Sequence, residues 1–168
     1  MTCCVTGHRP AKFPFLREIE DLSYQKYLAE LYSNIRICIQ EGYHHFMTGM
    51  AEGADLDFAN YVLDFQKSNP ALILEAALPY PIRKNKTVTT YQRDRDRILS
   101  LCNQQSIISE RYYQGCMQKR NRYMVDCSDL VLAIWNGEKK GGTWNTIQYA
   151  RSKEKVIRYI MLTELLEK

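Results

Sequence analysis

Short apolar runs alternate along the chain with longer segments in which apolar residues recur every three or four positions. The longer segments predict helices, since residues such as Leu28, Leu31 and Ile35 fall on one helix face. The short runs predict six strands, at Cys3–Thr6, Tyr43–Thr48, Ala71–Leu78, Ser106–Ser109, Asp129–Trp135 and Val156–Met161, of which the first and third should be buried.

Each predicted strand but the last is followed by a predicted helix. After the first helix, the second predicted helix carries Leu56 to Leu63 and the third carries Ile98 to Cys102. The fourth and fifth span Met117–Cys127 and Thr143–Arg151. Strands and helices that alternate in this way form right-handed crossovers and a mostly parallel sheet covered on both faces. We therefore predict one Rossmann-like α/β domain of three layers, α/β/α, over residues 1–168.

Composition fits this prediction and narrows the compartment. The chain has 168 residues, 45% of them hydrophobic, which is enough for one sizeable core. Six cysteines show no C-x-x-C pair or other metal-ligand spacing, so we expect reduced thiols and no metal site. The apolar runs are too short to cross a bilayer, and we expect a cytoplasmic protein.

Three glycine-bearing loops follow predicted strands, at Thr6–Pro10, Thr48–Asp55 and Gly137–Thr143. In a parallel sheet such loops gather beyond the carboxyl ends of the strands, where ligands bind. Glycine lets a phosphate approach the backbone, and a helix start offers it free N–H groups. The loops, together with a later Arg-Asn pair, predict a ligand site made of Thr6, Gly7, His8, Arg9, Thr48, Gly49, Gly53, Arg120, Asn121, Gly141, Gly142 and Thr143.

Two acidic residues beside the second loop are candidate catalytic groups. Glu52 and Asp55 could activate water or accept hydrogen bonds from ribose hydroxyls. Asp55 could equally cap the following helix, and His8 could be structural rather than a proton shuttle. Each glycine taken alone is an ordinary turn residue. The Arg120-Asn121-Arg122 segment could bind the ligand or could pair with Asp126 and Asp129.

Four segments carry a family resemblance, namely Thr6–Pro10, Thr48–Asp55, Arg120–Asp126 and Gly141–Thr143. Together they resemble the YpsA-like family of the SLOG superfamily, which also includes the Rossmann core of the DNA-processing protein DprA and the LOG phosphoribohydrolases. The resemblance spans nearly the whole chain and implies a Rossmann-like fold with a pocket for nucleotides or related ligands, such as ADP-ribose-like compounds.

The resemblance departs from LOG enzymes at the catalytic motif, which runs Gly-Gly-x-Gly-Thr-x-x-Glu. Counted from Gly141-Gly142, the motif's glutamate falls on Gln148 and its third glycine on Trp144. A glutamine cannot take up a proton as a carboxylate does. This difference counts against release of a base by the LOG route.

Three functions follow as hypotheses, and no cofactor follows from the sequence. The first is binding of a nucleotide or nucleotide-derived ligand in a sensor or regulatory role. The second is hydrolysis of an N-glycosidic or phosphoester bond of a nucleotide. The third is DprA-like single-stranded DNA binding by Arg83–Lys86, Arg93–Arg97 and tyrosines, although the alternating charges of Arg93–Arg97 equally suit a solvated helix. The tyrosines are also compatible with a homo-oligomer.

Overall fold

The computed structural model describes residues 1–82 and 88–166, and these contain six strands and five α-helices in strict alternation. The strands are β1 (Thr2–Gly7), β2 (His45–Thr48), β3 (Ile73–Leu78), β4 (Gln104–Ile107), β5 (Leu130–Trp135) and β6 (Val156–Met161). The helices are α1 (Leu22–Gln40), α2 (Ala54–Gln66), α3 (Thr90–Leu101), α4 (Cys116–Asp126) and α5 (Gly141–Ser152). Two short 3-10 helices, Pro10–Lys12 and Leu162–Leu165, complete the described elements.

The strands form one sheet in the order β4-β3-β2-β1-β5-β6, and each neighbouring pair is parallel. The prediction of a Rossmann-like α/β fold is confirmed. The chain moves from β1 outward to β4, then returns to the other side of β1 with β5 and β6. The strand order therefore reverses between β1 and β5.

The two faces of the sheet are covered by different helices. On one face α1, α2 and α3 pack through residues such as Leu31, Phe58 and Ile98 against alternate positions of the strands. On the other face α4 and α5 contribute Met124 and Ala150, among others, to a smaller core. β5 is buried along its whole length, because helices cover both of its faces and strands flank both of its edges.

The boundaries differ from the prediction mainly at the polar edge of the sheet. The fourth strand begins two residues before the predicted Ser106, at Gln104. Its start is fixed by Asn103, which hydrogen-bonds the backbone of Leu74 through both its own N–H and its side-chain oxygen. This edge strand is largely exposed, so apolar alternation, the signal used for the prediction, is weak there.

The cysteines form no disulfides, and most of them are buried. All six cysteines are free, and Cys3, Cys4, Cys38 and Cys116 are buried. Burial raises the pKa of the Cys4 thiol to about 12, so this group stays a neutral, packing side chain at physiological pH.

Within residues 1–82 and 88–166, no helix combines the length and the apolarity needed to cross a membrane.

Candidate ligand-binding site

A cavity of about 550 Å³ opens at the carboxyl ends of β1 and β5, where the strand order reverses. Ligands of open α/β sheets bind in the crevice that such a reversal creates. We call it the switch-point cavity. Among its lining residues are ten that the sequence predicts for the site, namely Thr6, Gly7, His8, Arg9, Asp55, Arg120, Asn121, Gly141, Gly142 and Thr143.

The first turn of α5 forms one wall of this cavity. Gly141 and Gly142 are exposed, and a methyl group built on either would have no atom within 4 Å. No side chain caps the helix start, and its first turn holds no acidic residue. By contrast, Asp21 caps α1 and Thr89 caps α3. The first N–H groups of α5 therefore stay accessible to an anion.

Positively charged side chains line the mouth of the switch-point cavity. Arg9 is exposed, and in the described part of the chain its guanidinium makes no hydrogen bond or ion pair. Lys12 and Lys140 approach the Glu138 carboxylate, with Nζ–O distances of 3.0 and 3.9 Å. The hydrogen bond from Lys12 lowers the pKa of Glu138. Among the described residues, the mouth of the cavity thus carries one unpaired cation, Arg9, and two cations that share a single carboxylate.

Arg120 lies at the floor of the cavity and joins several elements. It is 6% exposed, and its Nη1 donates to the carbonyl oxygens of Gly49, which follows β2, and Ala77, on β3. Its Nε donates to Oδ1 of Asn121 at 2.8 Å, and the Asn121 amide in turn donates to Thr146 of α5 at 3.0 Å. This chain of hydrogen bonds ties the floor to the helix that forms the wall.

A buried carboxylate accompanies the buried guanidinium. Asp55 is 7% exposed and accepts a hydrogen bond from the N–H of Ala51 at 3.2 Å. Burial raises the pKa of Asp55, while the positive charge of Arg120 opposes that shift. Burial likewise lowers the pKa of Arg120, and Asp55 opposes it. The pair supplies the cavity with a hydrogen-bonding carboxylate next to a fixed cation.

His8 lies between the cavity and the start of α5. The imidazole is 7% exposed, and its Nδ1 is 3.4 Å from Oγ1 of Thr143, which also donates to the carbonyl of Gly7 at 3.0 Å. Burial lowers the pKa of His8, and the side chains of Asn136 and Glu138 oppose this effect. At neutral pH the imidazole is therefore neutral and orients Thr143 rather than adding positive charge.

Three glycines of the predicted site serve packing between protein groups. A Cβ on Gly7 would overlap the Cβ of Ala54, and one on Gly49 would overlap the guanidinium of Arg120. Gly53 has a φ of +99°, and its Cβ would lie 2.6 Å from the carbonyl oxygen of His8. These close approaches let the first two loops and Arg120 converge beneath the cavity.

The remaining predicted residues lie beside the cavity rather than on its lining. Thr48 is fully buried, where its hydroxyl donates to the carbonyl of Asp55 at 3.0 Å and accepts from the N–H of Met50. Glu52 is exposed and is absent from the lining of the switch-point cavity. Lys12, Lys140 and Glu138 line the cavity but were not predicted, although the loop's lysines were a visible signal.

Arg120 does not pair with the acidic end of α4, which the sequence left open as an alternative. Asp126 accepts a hydrogen bond from Tyr149, and Asp129 accepts one from the backbone of Thr2. Arg122, also considered for the site, instead lies over the ring of Tyr149 at 5.3 Å. Arg120 therefore lies at the cavity floor, whereas Arg122 of the same segment lies in a groove outside the cavity.

The positions aligned with the LOG catalytic motif also lie outside the cavity. Gln148 is exposed in the groove between α4 and α5, where it contacts Arg151. Trp144 stacks on Trp135 with ring centroids 5.3 Å apart. If the motif is aligned on Thr143 instead, its glutamate falls on Thr146, which faces Asn121 but carries no carboxylate. Neither alignment supplies the LOG acid.

Comparisons with known proteins agree with the resemblance seen in the sequence. A UPF0398 protein of Bacillus pumilus is 25% identical over 165 residues, covering 96% of this chain and 88% of its own. The UPF0398 protein YpsA of Bacillus subtilis is 21% identical over 140 residues, covering 82% and 77%. The prophage-derived protein YoqJ of Bacillus subtilis is 26% identical over 124 residues, covering 67% and 72%. The YpsA family model, described as the YspA SLOG family, matches residues 3–165, and the chain belongs to this family.

Proposed function

We propose that the protein binds a nucleotide or nucleotide-derived ligand, with a phosphate group of the ligand in the switch-point cavity at the start of α5. One observation carries this proposal: the unpaired guanidinium of Arg9 lines the same cavity as the open, uncapped Gly141–Gly142 backbone. A guanidinium fork and free helix N–H groups are the two protein groups best suited to a phosphate.

The same cavity favours a sensor or regulatory role over LOG-type catalysis. The side chains at the aligned glutamate and glycine positions, Gln148 and Trp144, lie away from it. Besides the carboxylates of Asp55 and Glu138, the lining carries cations, backbone donors and a neutral histidine, which bind an anion without activating water. We therefore propose that the ligand is bound and released intact.

Calorimetric titration with ADP tests this proposal. The wild-type protein should bind ADP, and Arg9→Gln should weaken binding by about 10- to 150-fold, the loss that corresponds to a charge-assisted hydrogen bond. Arg93→Gln is the matched control, because Arg93 is an exposed arginine outside the cavity lining. Absence of ADP binding at millimolar concentration, or equal losses in the two variants, would refute the phosphate site.

A second function, nucleotide hydrolysis, is supported by Asp55 alone among the predicted acids. Its buried carboxylate lines the cavity and has a raised pKa, as a general base or acid requires, whereas Glu52 does not reach the lining. Chromatography of AMP and ADP after incubation decides between the two functions. Recovery of intact nucleotide supports binding alone, and turnover that Asp55→Asn abolishes would establish the hydrolase.

DNA binding stays a weaker prediction. Arg83–Lys86 lies outside the described residues. In the neighbouring run, Arg95 pairs with Asp96 at 2.9 Å and Arg97 donates to Asn60 at 2.6 Å. These arginines are engaged by neighbours, which reduces the charge they offer to a phosphate backbone.

A further inference from the structure

A second cavity of about 340 Å³ adjoins the switch-point cavity on the side of β3 and α3. We call it the tyrosine cavity, because Tyr80 and Tyr91 line it. Arg9 and Arg120 line both cavities, as do Ala51 and Met117. A ligand held by Arg9 in the first cavity therefore lies next to the opening of the second.

The rings of the tyrosine cavity are held in place by contacts with neighbouring residues. The Tyr91 hydroxyl donates to the carbonyl of Met50 at 2.9 Å, and the Arg95 guanidinium lies 5.6 Å from the centre of its ring. Tyr80 packs edge-on against Tyr112, with centroids 5.6 Å apart. Rings that are already ordered lose little conformational entropy when a ligand packs against them.

The backbone conformation of Met50 is a further indication that the tyrosine cavity is a ligand site. Met50 is a non-glycine residue with a φ of +59°, and its peptide is held by Tyr91 on the carbonyl side and by Thr48 on the N–H side. Left-handed backbone is unfavourable at such a residue and persists where the surroundings fix it, often at ligand sites. The strained residue forms part of the cavity wall.

The lining favours a planar, uncharged ring over a second phosphate. Leu78 and Ile82 add aliphatic surface to that of the tyrosines, and the charge of Arg95 is balanced by Asp96. Among the residues that the structure describes, the other cations of this cavity are Arg9 and Arg120, which it shares with the switch-point cavity. The unbalanced charge of the described lining thus lies at the junction, and the tyrosines, Leu78 and Ile82 lie beyond it.

We propose that the tyrosine cavity binds the heterocyclic base of a ligand whose phosphate lies in the switch-point cavity, so that the site recognises a nucleotide as a whole and not a phosphate alone. This proposal rests on the proposed function. It assigns the two ends of the ligand, with the phosphate toward α5 and the base toward α3, and it makes Tyr80 a determinant of specificity.

Calorimetry with ADP and inorganic pyrophosphate on Tyr80 variants tests this assignment. Tyr80→Ala should weaken ADP binding by about 5- to 150-fold, the range for loss of one stacked base, and leave pyrophosphate binding unchanged. Tyr80→Phe should keep ADP affinity because it keeps the ring. Tyr113→Ala is the matched control, since Tyr113 is an exposed tyrosine that is absent from the linings of both cavities.

The outcomes separate this proposal from the one on which it rests. If ADP and pyrophosphate bind equally well and Tyr80→Ala changes neither, the base assignment is wrong and the phosphate site stands. If Tyr80→Ala weakens both ligands alike, the tyrosine does not read the base, and the assignment is again overturned. If neither ligand binds the wild-type protein, both proposals fail.

Discussion

Two glycines of the predicted site should respond in opposite ways to the same substitution. Gly142 is a helical residue whose added methyl group meets no atom within 4 Å, whereas Gly53 has a φ of +99° and its methyl group would lie 2.6 Å from a backbone oxygen of His8. Gly142→Ala should therefore stabilise the fold and weaken ligand binding. Gly53→Ala should destabilise the fold.

The structure sets the size of both effects. Alanine in place of glycine within a helix gains about 0.5–1 kcal/mol, which corresponds to a rise in Tm of about 1–4 °C for a chain of this size. At Gly53 the positive-φ backbone and the overlap together cost about 2–6 kcal/mol, a fall in Tm of about 4–24 °C. In a helix each Cβ tilts toward the N-terminus, so the methyl group that Gly142→Ala adds enters the space proposed for the phosphate.

Thermal unfolding followed by circular dichroism, with and without ADP, measures these effects. Gly142→Ala should unfold at or slightly above the wild-type temperature, and ADP should stabilise it less than the wild-type protein. A Gly142→Ala protein that gains as much stability from ADP as the wild type would refute the role of the α5 start. A Gly53→Ala protein of wild-type stability would refute the packing role assigned to that glycine.

Three further predictions concern the groups around the cavity. Gly49→Ala should cost about 1–3 kcal/mol and lower Tm by about 2–12 °C, because its Cβ overlaps the Arg120 guanidinium; an unchanged Tm would contradict this contact. An NMR titration should place the pKa of His8 below its ordinary value of 6.5, since burial favours the neutral ring. His8 then contributes stability above that pH and loses it as the pH falls, and His8→Gln should remove this part of the pH dependence; a pKa above 6.5 would reverse the sign. Glu138→Gln should strengthen ADP binding by up to about 5-fold, because Lys12 and Lys140 are then free for the ligand, and weaker binding would show that the carboxylate contacts the ligand directly.

The order of elements could be predicted because the strong signals were local. The buried runs of β1, β3 and β5 are clear in the sequence, and each is followed by turn residues and then by an amphipathic helix. The parallel sheet and its reversal then follow from connection rules rather than from individual contacts. The loops after β1 and β5 were therefore expected at one edge, and the structure brings both to the same cavity.

The roles of individual residues in the site could not be predicted from the sequence, because they depend on contacts that only the folded chain makes. Nothing near Gly49 in sequence shows that a guanidinium 71 positions away takes the space of its missing side chain. Thr48 resembled a ligand donor, yet its hydroxyl is used by the backbone of its own loop. Glu52 and Asp55 looked equivalent, but the turn into α2 buries Asp55 and leaves Glu52 exposed.

The tyrosine cavity was not predicted, because its residues come from separate parts of the chain with no shared motif. Tyr80 follows β3, Tyr91 lies in the first turn of α3, and Met50 belongs to the loop after β2. Tyrosines are frequent in this chain, so neither one is distinctive in sequence. In the fold all three line one cavity, and the Tyr91 hydroxyl donates to the carbonyl of Met50.

An amide NMR titration of the wild-type protein with ADP and, separately, with adenosine tests directly whether a phosphate binds at the start of α5. We expect ADP to shift the backbone amide signals of Gly141, Gly142 and Thr143 most strongly, because these N–H groups meet the phosphate. Adenosine, which lacks the phosphate, should leave those three signals in place. ADP-induced shifts confined to other parts of the chain, or no shifts at millimolar ADP, would show that the phosphate does not bind at this helix start.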